Sequence, residues 1–150
     1  MLQMSRVART MTRTVAEKMG IRAGLRSYFA HASPGILASM NLPTLVIAER
    51  LQGEFDYIHL FVETQEAMEQ QFPVMRDHLA ADGMLWVSWP KAHQLGSDLS
   101  LPIIIGIGYS HGLVESTTVS INDVWSAIKF THPKPGKIYQ NSYGTLPPNT

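Results

Sequence analysis

Between Phe55 and Lys91 the hydrophobic pattern changes period twice. In Tyr57 to Val62 apolar residues are dense and β-favouring, as in a strand buried on both faces. From Thr64 to Leu79 the apolar positions Met68, Phe72, Met75 and Leu79 recur at spacings of three and four, which predicts a helix with one buried stripe. Glu63 and Glu66 suit the positive end of its dipole. Pro73 removes one hydrogen bond, so a kink or break near Gln71 is expected, and Asp82-Gly83 is expected to end the element. Met84 to Trp89 then reads as a strand again, with Trp86 and Ser88 on one face and Val87 and Trp89 on the other. Strand, helix, strand is the βαβ unit of a parallel sheet.

The rest of the pattern extends this unit. Thr14 to Met19 predicts a short helix stopped by Gly20. Leu25 to Ala32 and Thr44 to Glu49 predict two strands, separated by Ser33-Pro34-Gly35 and a short helix over Ile36 to Met40. Ser97 is a candidate cap for a helix through Leu101-Pro102-Ile103-Ile104-Ile105, although the isoleucines also suit a strand. Leu113 to Ile121 and Val124 to Thr131, flanking Asn122-Asp123, predict an antiparallel hairpin. The fold class expected is α/β: a three-layer sandwich, Rossmann-like, with a mostly parallel sheet and a C-terminal antiparallel hairpin. The domain organisation expected is a basic arm over 1–13, an α/β domain over 14–132 and a proline-rich, extended or disordered tail over 133–150 that is dispensable for folding.

Composition narrows the class of partner. The chain has 150 residues, enough for one domain with a sizeable core. Lys+Arg and Asp+Glu are both 12, so the formal charge is zero and neither nucleic acid nor an anionic membrane is expected as a partner. Hydrophobic residues make up 45% and charged residues 16%, a balance in keeping with self-association into a homo-oligomer. There is no cysteine, which excludes disulfides, thiolate metal sites and cysteine nucleophiles, and fits the cytoplasm. The leader MLQMSRVARTMTRTVAEK is arginine-rich with no acid before Glu17; a basic arm preceding a short helix is expected there, and an organelle transit peptide is the other reading.

Three segments, FDYIHLFV, LAADGMLWVSWPK and NDVWSAIKF, resemble in order and spacing those of a small bacterial family without an assigned activity. That family is itself similar to a reduced class I S-adenosylmethionine-dependent methyltransferase. The resemblance covers roughly Thr14 to Thr131. It implies the methyltransferase-like fold, and it also sets a contrast. Methyltransferases of that class close their first strand with a glycine-rich loop and the next with an acid for the cofactor ribose. Here the first strand ends in His31-Ala32-Ser33-Pro34-Gly35, with one glycine and a proline that lacks a donor. Glu49 stands where the ribose acid would. The function expected is a small-ligand-binding or interaction module without the standard cofactor loop, hence no cofactor. The alternative is a genuine methyltransferase with an atypical S-adenosylmethionine pocket that uses Glu49.

Other chemistry is poorly supported. Gly106-Ile107-Gly108 lacks the third glycine of a phosphate loop, since position 111 is His111, and a strand pattern follows it. Ser88-Trp89-Pro90-Lys91 matches S-x-x-K, but Ser88 lies in a strand and no K-T-G follows. The six histidines show neither H-x-H nor H-E-x-x-H spacing; His31, His59 and His93 read as separate polar groups, and no metal is expected. Open α/β sheets bind ligands beyond the carboxyl ends of their strands. Strands ending at Ala32, Glu49, Val62 and Trp89 place Ser33, Glu49, Glu63, Lys91 and Asp98 around such a crevice. Lys91 set against two glutamates predicts a lining of mixed charge. Asp123, Trp125 and Ser126 are further candidates, with turn and core roles as the alternative.

Overall fold

A computed structural model of the chain describes residues 13–148. The basic arm therefore lies outside the described residues except for Arg13. Six strands form one sheet: β1 (Arg26–Ala30), β2 (Val46–Ile47), β3 (Phe55–Phe61), β4 (Leu79–Pro90), β5 (Val114–Ser120) and β6 (Trp125–Thr131), in the spatial order β2-β1-β3-β4-β6-β5. β1, β2, β3 and β4 pair in parallel, and β6 is antiparallel to both β4 and β5. The Rossmann-like α/β sandwich with a C-terminal antiparallel hairpin is thus the observed architecture.

Two helices cover one face: α2 (Gln65–Arg76) and α3 (Leu101–Ser110). Met68, Phe72 and Met75 bury the stripe of α2 against Ile58, Leu60, Val87 and Trp89. The opposite face is covered more thinly, by the five-residue α1 (Val15–Met19) and a 3-10 helix over Leu37–Met40. Ala16, Met19, Ile36 and Met40 meet Tyr57, Phe61 and Trp86 there. α1 survives at five residues because Thr14 and Glu17 form a reciprocal capping box and Gly20 closes the helix at φ 76°. The alternation of Trp86/Ser88 and Val87/Trp89 between the two faces follows the period-two pattern, and Trp86, Val87, Ser88 and Trp89 are all buried.

Three elements depart from the local pattern. α2 begins as expected, with Thr64 Oγ1 accepting from the Ala67 N–H, and runs unbroken through Pro73. It stops at Arg76, because Leu79 already pairs with Phe55. Asp82-Gly83 ends nothing; it lies inside β4, where the register against β3 shifts between Phe55 and Tyr57. A Cβ on Gly83 would stand 2.9 Å from both Leu79 Cδ1 and the Phe55 carbonyl oxygen, so glycine serves close approach there.

The second departure is the isoleucine run, which is helical and extends to Ser110 with Ser100, not Ser97, at its N-cap. Ser97 is buried and accepts from the Leu99 N–H just before the helix. The candidate phosphate loop is consequently helix interior. A Cβ on Gly108 would lie 2.1 Å from Phe130 Cε1, and one on Gly106 2.9 Å from the Tyr143 carbonyl, so both glycines let α3 approach its neighbours. The third departure is β2, which shrinks to two residues with Val46 and Ile47 both exposed.

The tail is extended, with one isolated bridge between Asn141 and Gly144, yet it docks on the domain. Tyr139 and Leu146 pack on the core beside α3, Asn141 Nδ2 donates to Glu115 Oε1 at 2.8 Å, and a Cβ on Gly144 would meet Tyr109 Cβ at 2.8 Å. Two half-buried apolar side chains and one partly buried hydrogen bond correspond to about 2–3 kcal/mol. Deleting residues 133–150 is therefore expected to lower the urea midpoint by that equivalent, against the reading of the tail as dispensable. A shift below about 0.5 kcal/mol, within the range of neutral surface changes, would show that the docking contributes nothing.

Candidate functional site

The parallel strands all end at one edge of the sheet. In sheet order, Glu49 follows β2, Ser33 follows β1, Glu63 follows β3 and Lys91 follows β4. With neighbouring strands about 4.8 Å apart, this row spans roughly 14 Å. Ser33, Glu49 and Glu63 are exposed. Among the described residues no hydrogen bond or ion pair joins any two of the five candidates. Asp98 is engaged elsewhere: its Oδ1 accepts from the Gln65 N–H at 2.8 Å, and its carbonyl from Gln65 Nε2 at 3.0 Å, so it braces the start of α2.

Lys91 turns away from the glutamates. Its Nζ donates to Ser120 Oγ and, at 2.6 Å, to the Asn122 carbonyl, while its N–H donates to the Val124 carbonyl at 2.7 Å. It thereby ties the end of β4 to the hairpin turn. That turn forms locally, because Asn122 Oδ1 accepts from the N–H groups of Val124 and Trp125 at 2.9 and 2.8 Å. Asp123 is exposed, and Trp125 is half-buried with its ring 5.6 Å from Phe61 in a T-shaped contact.

A cleft of about 500 Å³ opens beside Lys91 on the α2/α3 face. Lys91, Ser120, Thr118 and Ser126 line one side, and Trp89, Leu99 and Leu101 supply apolar wall. The loop bordering it holds Ala92, His93 and Leu95 at φ 49°, 59° and 56°, left-handed values that cost a non-glycine residue roughly 1 kcal/mol or more each. His93 Nδ1 donates to the Ser97 carbonyl at 2.9 Å, so that nitrogen carries a proton. Of the five candidates only Lys91 lines this cleft. A second, larger opening of about 1000 Å³ lies between the tail and the start of β4 and contains none of them.

A polar chain that sequence reasoning left as isolated groups lies under the sheet edge. Tyr57 Oη is 2.6 Å from His59 Nδ1, and His59 Nε2 is 2.6 Å from Ser88 Oγ. In either tautomer a neutral ring donates one of these bonds and accepts the other. Phe61 stacks on the imidazole at 4.3 Å and 10°, and all four side chains are buried. Burial holds the His59 pKa down to about 3 and pushes that of Tyr57 well up. Tyr57, His59 and Phe61 alternate on one face of β3, a pattern visible in FDYIHLF; the pairing with Ser88 depends on the register of β4. Ser88 and His59 have the residue types of a nucleophile and base, but their bond is sealed from solvent. Among the described residues no group of three His, Asp or Glu side chains is placed to hold a metal ion, and no helix is long and apolar enough to cross a membrane.

Comparison with known proteins locates the fold. No protein-family model and no curated protein sequence matches the chain. Solved structures of S-adenosylmethionine-dependent methyltransferases do match in shape. A ribosomal protein L11 methylase from Lactobacillus delbrueckii subsp. bulgaricus superposes with a TM-score of 0.54 at 13% identity, covering 77% of this chain and 74% of that one. Magnesium protoporphyrin IX methyltransferase from Synechocystis PCC 6803, with SAH bound, gives 0.53 at 14% identity over 79% and 78%. A TehB-like methyltransferase from Corynebacterium glutamicum gives 0.51 at 11% identity over 88% and 95%. The chain has a methyltransferase-like fold, and at these identities the likeness concerns the fold alone.

Proposed function

We propose that this chain is a methyltransferase-fold domain that binds a small ligand at the carboxyl edge of its sheet without S-adenosylmethionine as a cofactor. The observation that carries the reading is the segment after β1. The chain leaves β1 through His31 at φ 63° and passes Ser33-Pro34-Gly35 into a 3-10 helix of four residues. Gly35 takes no left-handed φ, and Pro34 offers no N–H. No multi-glycine turn brings the backbone close to a cofactor there, and four residues make a negligible dipole for an anionic group. The residues present do not fit the usual way of holding the cofactor. In this reading Ser33, Glu49 and Glu63 form the polar rim of the edge, Lys91 serves the adjoining cleft beside the hairpin, and Asp98 acts through its hold on α2. The neutral formal charge favours a small molecule, or a protein such as a second copy, over nucleic acid or membrane, and the lack of cysteine favours the cytoplasm.

The second reading, a methyltransferase with an atypical pocket, is favoured by Glu49: it is exposed just beyond β2, and no hydrogen bond of its side chain is found among the described residues. Calorimetric titration with S-adenosylmethionine and its demethylated product separates the two. No heat of binding at millimolar ligand is expected, and no rise in melting temperature. A ligand at a hundred times its Kd adds about 2.7 kcal/mol, which a thermal scan registers. Micromolar binding, weakened in Glu49→Gln, would overturn the first reading and establish the second.

A further inference from the structure

The cleft between the end of β4, the hairpin and the start of α3 has a lining that the expectation of mixed charge did not anticipate. Among the described residues no carboxylate lines it. Lys91 is half-buried, and its ammonium is fixed by two neutral oxygens, Ser120 Oγ and the Asn122 carbonyl. No carboxylate lies within ion-pair distance of it among the described residues. Asp98, close in sequence, is bound to Gln65 instead. The cation is thus held in place with its charge uncompensated. Around it, the hydroxyls of Ser100, Thr118 and Ser126 line the cleft, and no side-chain hydrogen bond of theirs is found among the described residues. The rest of the lining is mainly apolar, with Trp89, Leu99 and Leu101, the last 38% exposed, and His93 stands at its margin. A volume of about 500 Å³ falls within the range of small-molecule sites.

Resting on the binding-module reading above, we infer that this cleft takes a small amphipathic anion: an oxyanion head on Lys91 and the hydroxyls, with a short aliphatic or aromatic body against Trp89, Leu99 and Leu101. A fixed ammonium without a counter-ion favours an oxyanion through charge-assisted hydrogen bonds. The hydroxyls add donors that rotate to suit it. The apolar wall distinguishes an amphipathic ligand from free inorganic phosphate, which would use only half the lining. A carboxylate and a phosphate ester share this chemistry, and the preferred head group separates the two.

The test is an amide-resolved NMR titration of the full chain with sodium octanoate and with phenyl phosphate, using octanamide and inorganic phosphate as controls. The expected result is saturable shifts confined to residues 89–101 and 118–126, from one or both anions. Octanamide and inorganic phosphate should each bind about tenfold or more weakly, and added salt should weaken the anions alone. Lys91→Met should cost about tenfold in anion affinity and leave octanamide unchanged. Because that variant also loses two structural hydrogen bonds, Leu101→Glu is the companion: it sets a carboxylate at the cleft wall in the first turn of α3, where the helix tolerates it, and should abolish anion binding with the fold intact. Equal affinity for octanamide, or no saturable shift from either anion at millimolar concentration, would overturn the inference. Shifts mapping to Ser33, Glu49 and Glu63 would overturn this cleft and leave the binding-module reading standing. Micromolar binding of S-adenosylmethionine beside intact octanoate binding would do the reverse.

Discussion

Stability should fall steeply on the acid side, and His59 should be the main single cause. The imidazole is fully buried between Tyr57, Ser88 and Phe61, and burial holds its pKa at about 3 against an ordinary 6.5. Below pH 6.5 the unfolded chain binds a proton at this position that the folded chain does not. A depressed folded-state pKa therefore contributes stability that is complete above 6.5 and lost as pH falls toward 3. The slope is about 1.4 kcal/mol per pH unit, so roughly 4 kcal/mol is lost on this account by pH 3.5. Carboxylates add their own acid dependence, Glu17 among them, whose pKa is lowered by its hydrogen bonds with Thr14. The measurement is therefore a difference: urea unfolding at pH 7, 6, 5 and 4 for the native chain and for His59→Gln. The variant should be less stable at pH 7 and show a shallower slope from 6.5 downward. Parallel slopes would mean that the folded state admits the proton.

Trp86→Ala is expected to be the most damaging single substitution on the α1 face, at about 3–5 kcal/mol. The ring is 0% exposed and packs with Tyr57, Phe61 and Ala127 beneath α1, and its Nε1 donates to Met84 Sδ at 3.3 Å. Among the described residues that face has little to collapse into the cavity, since a five-residue helix and a 3-10 turn cover it. For a domain of this size such a loss lowers the melting temperature by about 10 °C. Trp125→Ala, with a half-buried ring at the hairpin, serves as the comparison and should cost less than half as much. A loss under about 1 kcal/mol at Trp86 would mean that the ring is not seated in the core.

Much of this fold was legible in the chain because period and face are local properties. The spacing of Met68, Phe72 and Met75 marks a helix and its buried stripe whatever the stripe meets. Two-residue alternation in Met84 to Trp89 sends Trp86 and Trp89 to opposite faces before either has a neighbour. Asn122 closes the hairpin with its own side chain, so that turn too can be read from the sequence. The row of Ser33, Glu49, Glu63 and Lys91 along one edge follows from strand ends alone.

Which groups meet is decided by register and close approach, and these are not local. Asp82-Gly83 has turn chemistry, yet pairing with β3 holds it in β4, where the missing Cβ admits Phe55 and Leu79. Gly106 and Gly108 look like a loop until Phe130 and Tyr143 approach them across the fold. His59 joins Ser88 across 29 residues only because β3 and β4 pair in parallel in one register. Lys91, read as facing two glutamates, reaches the hairpin because β6 inserts beside β4 and brings Asn122 within 2.6 Å. The chain by itself determined the order of elements, the faces they bury and the edge where their ends gather. The tertiary structure decided where Lys91 points and which cleft it serves, because a side chain's hydrogen-bond partners are set by the strand that lands beside it.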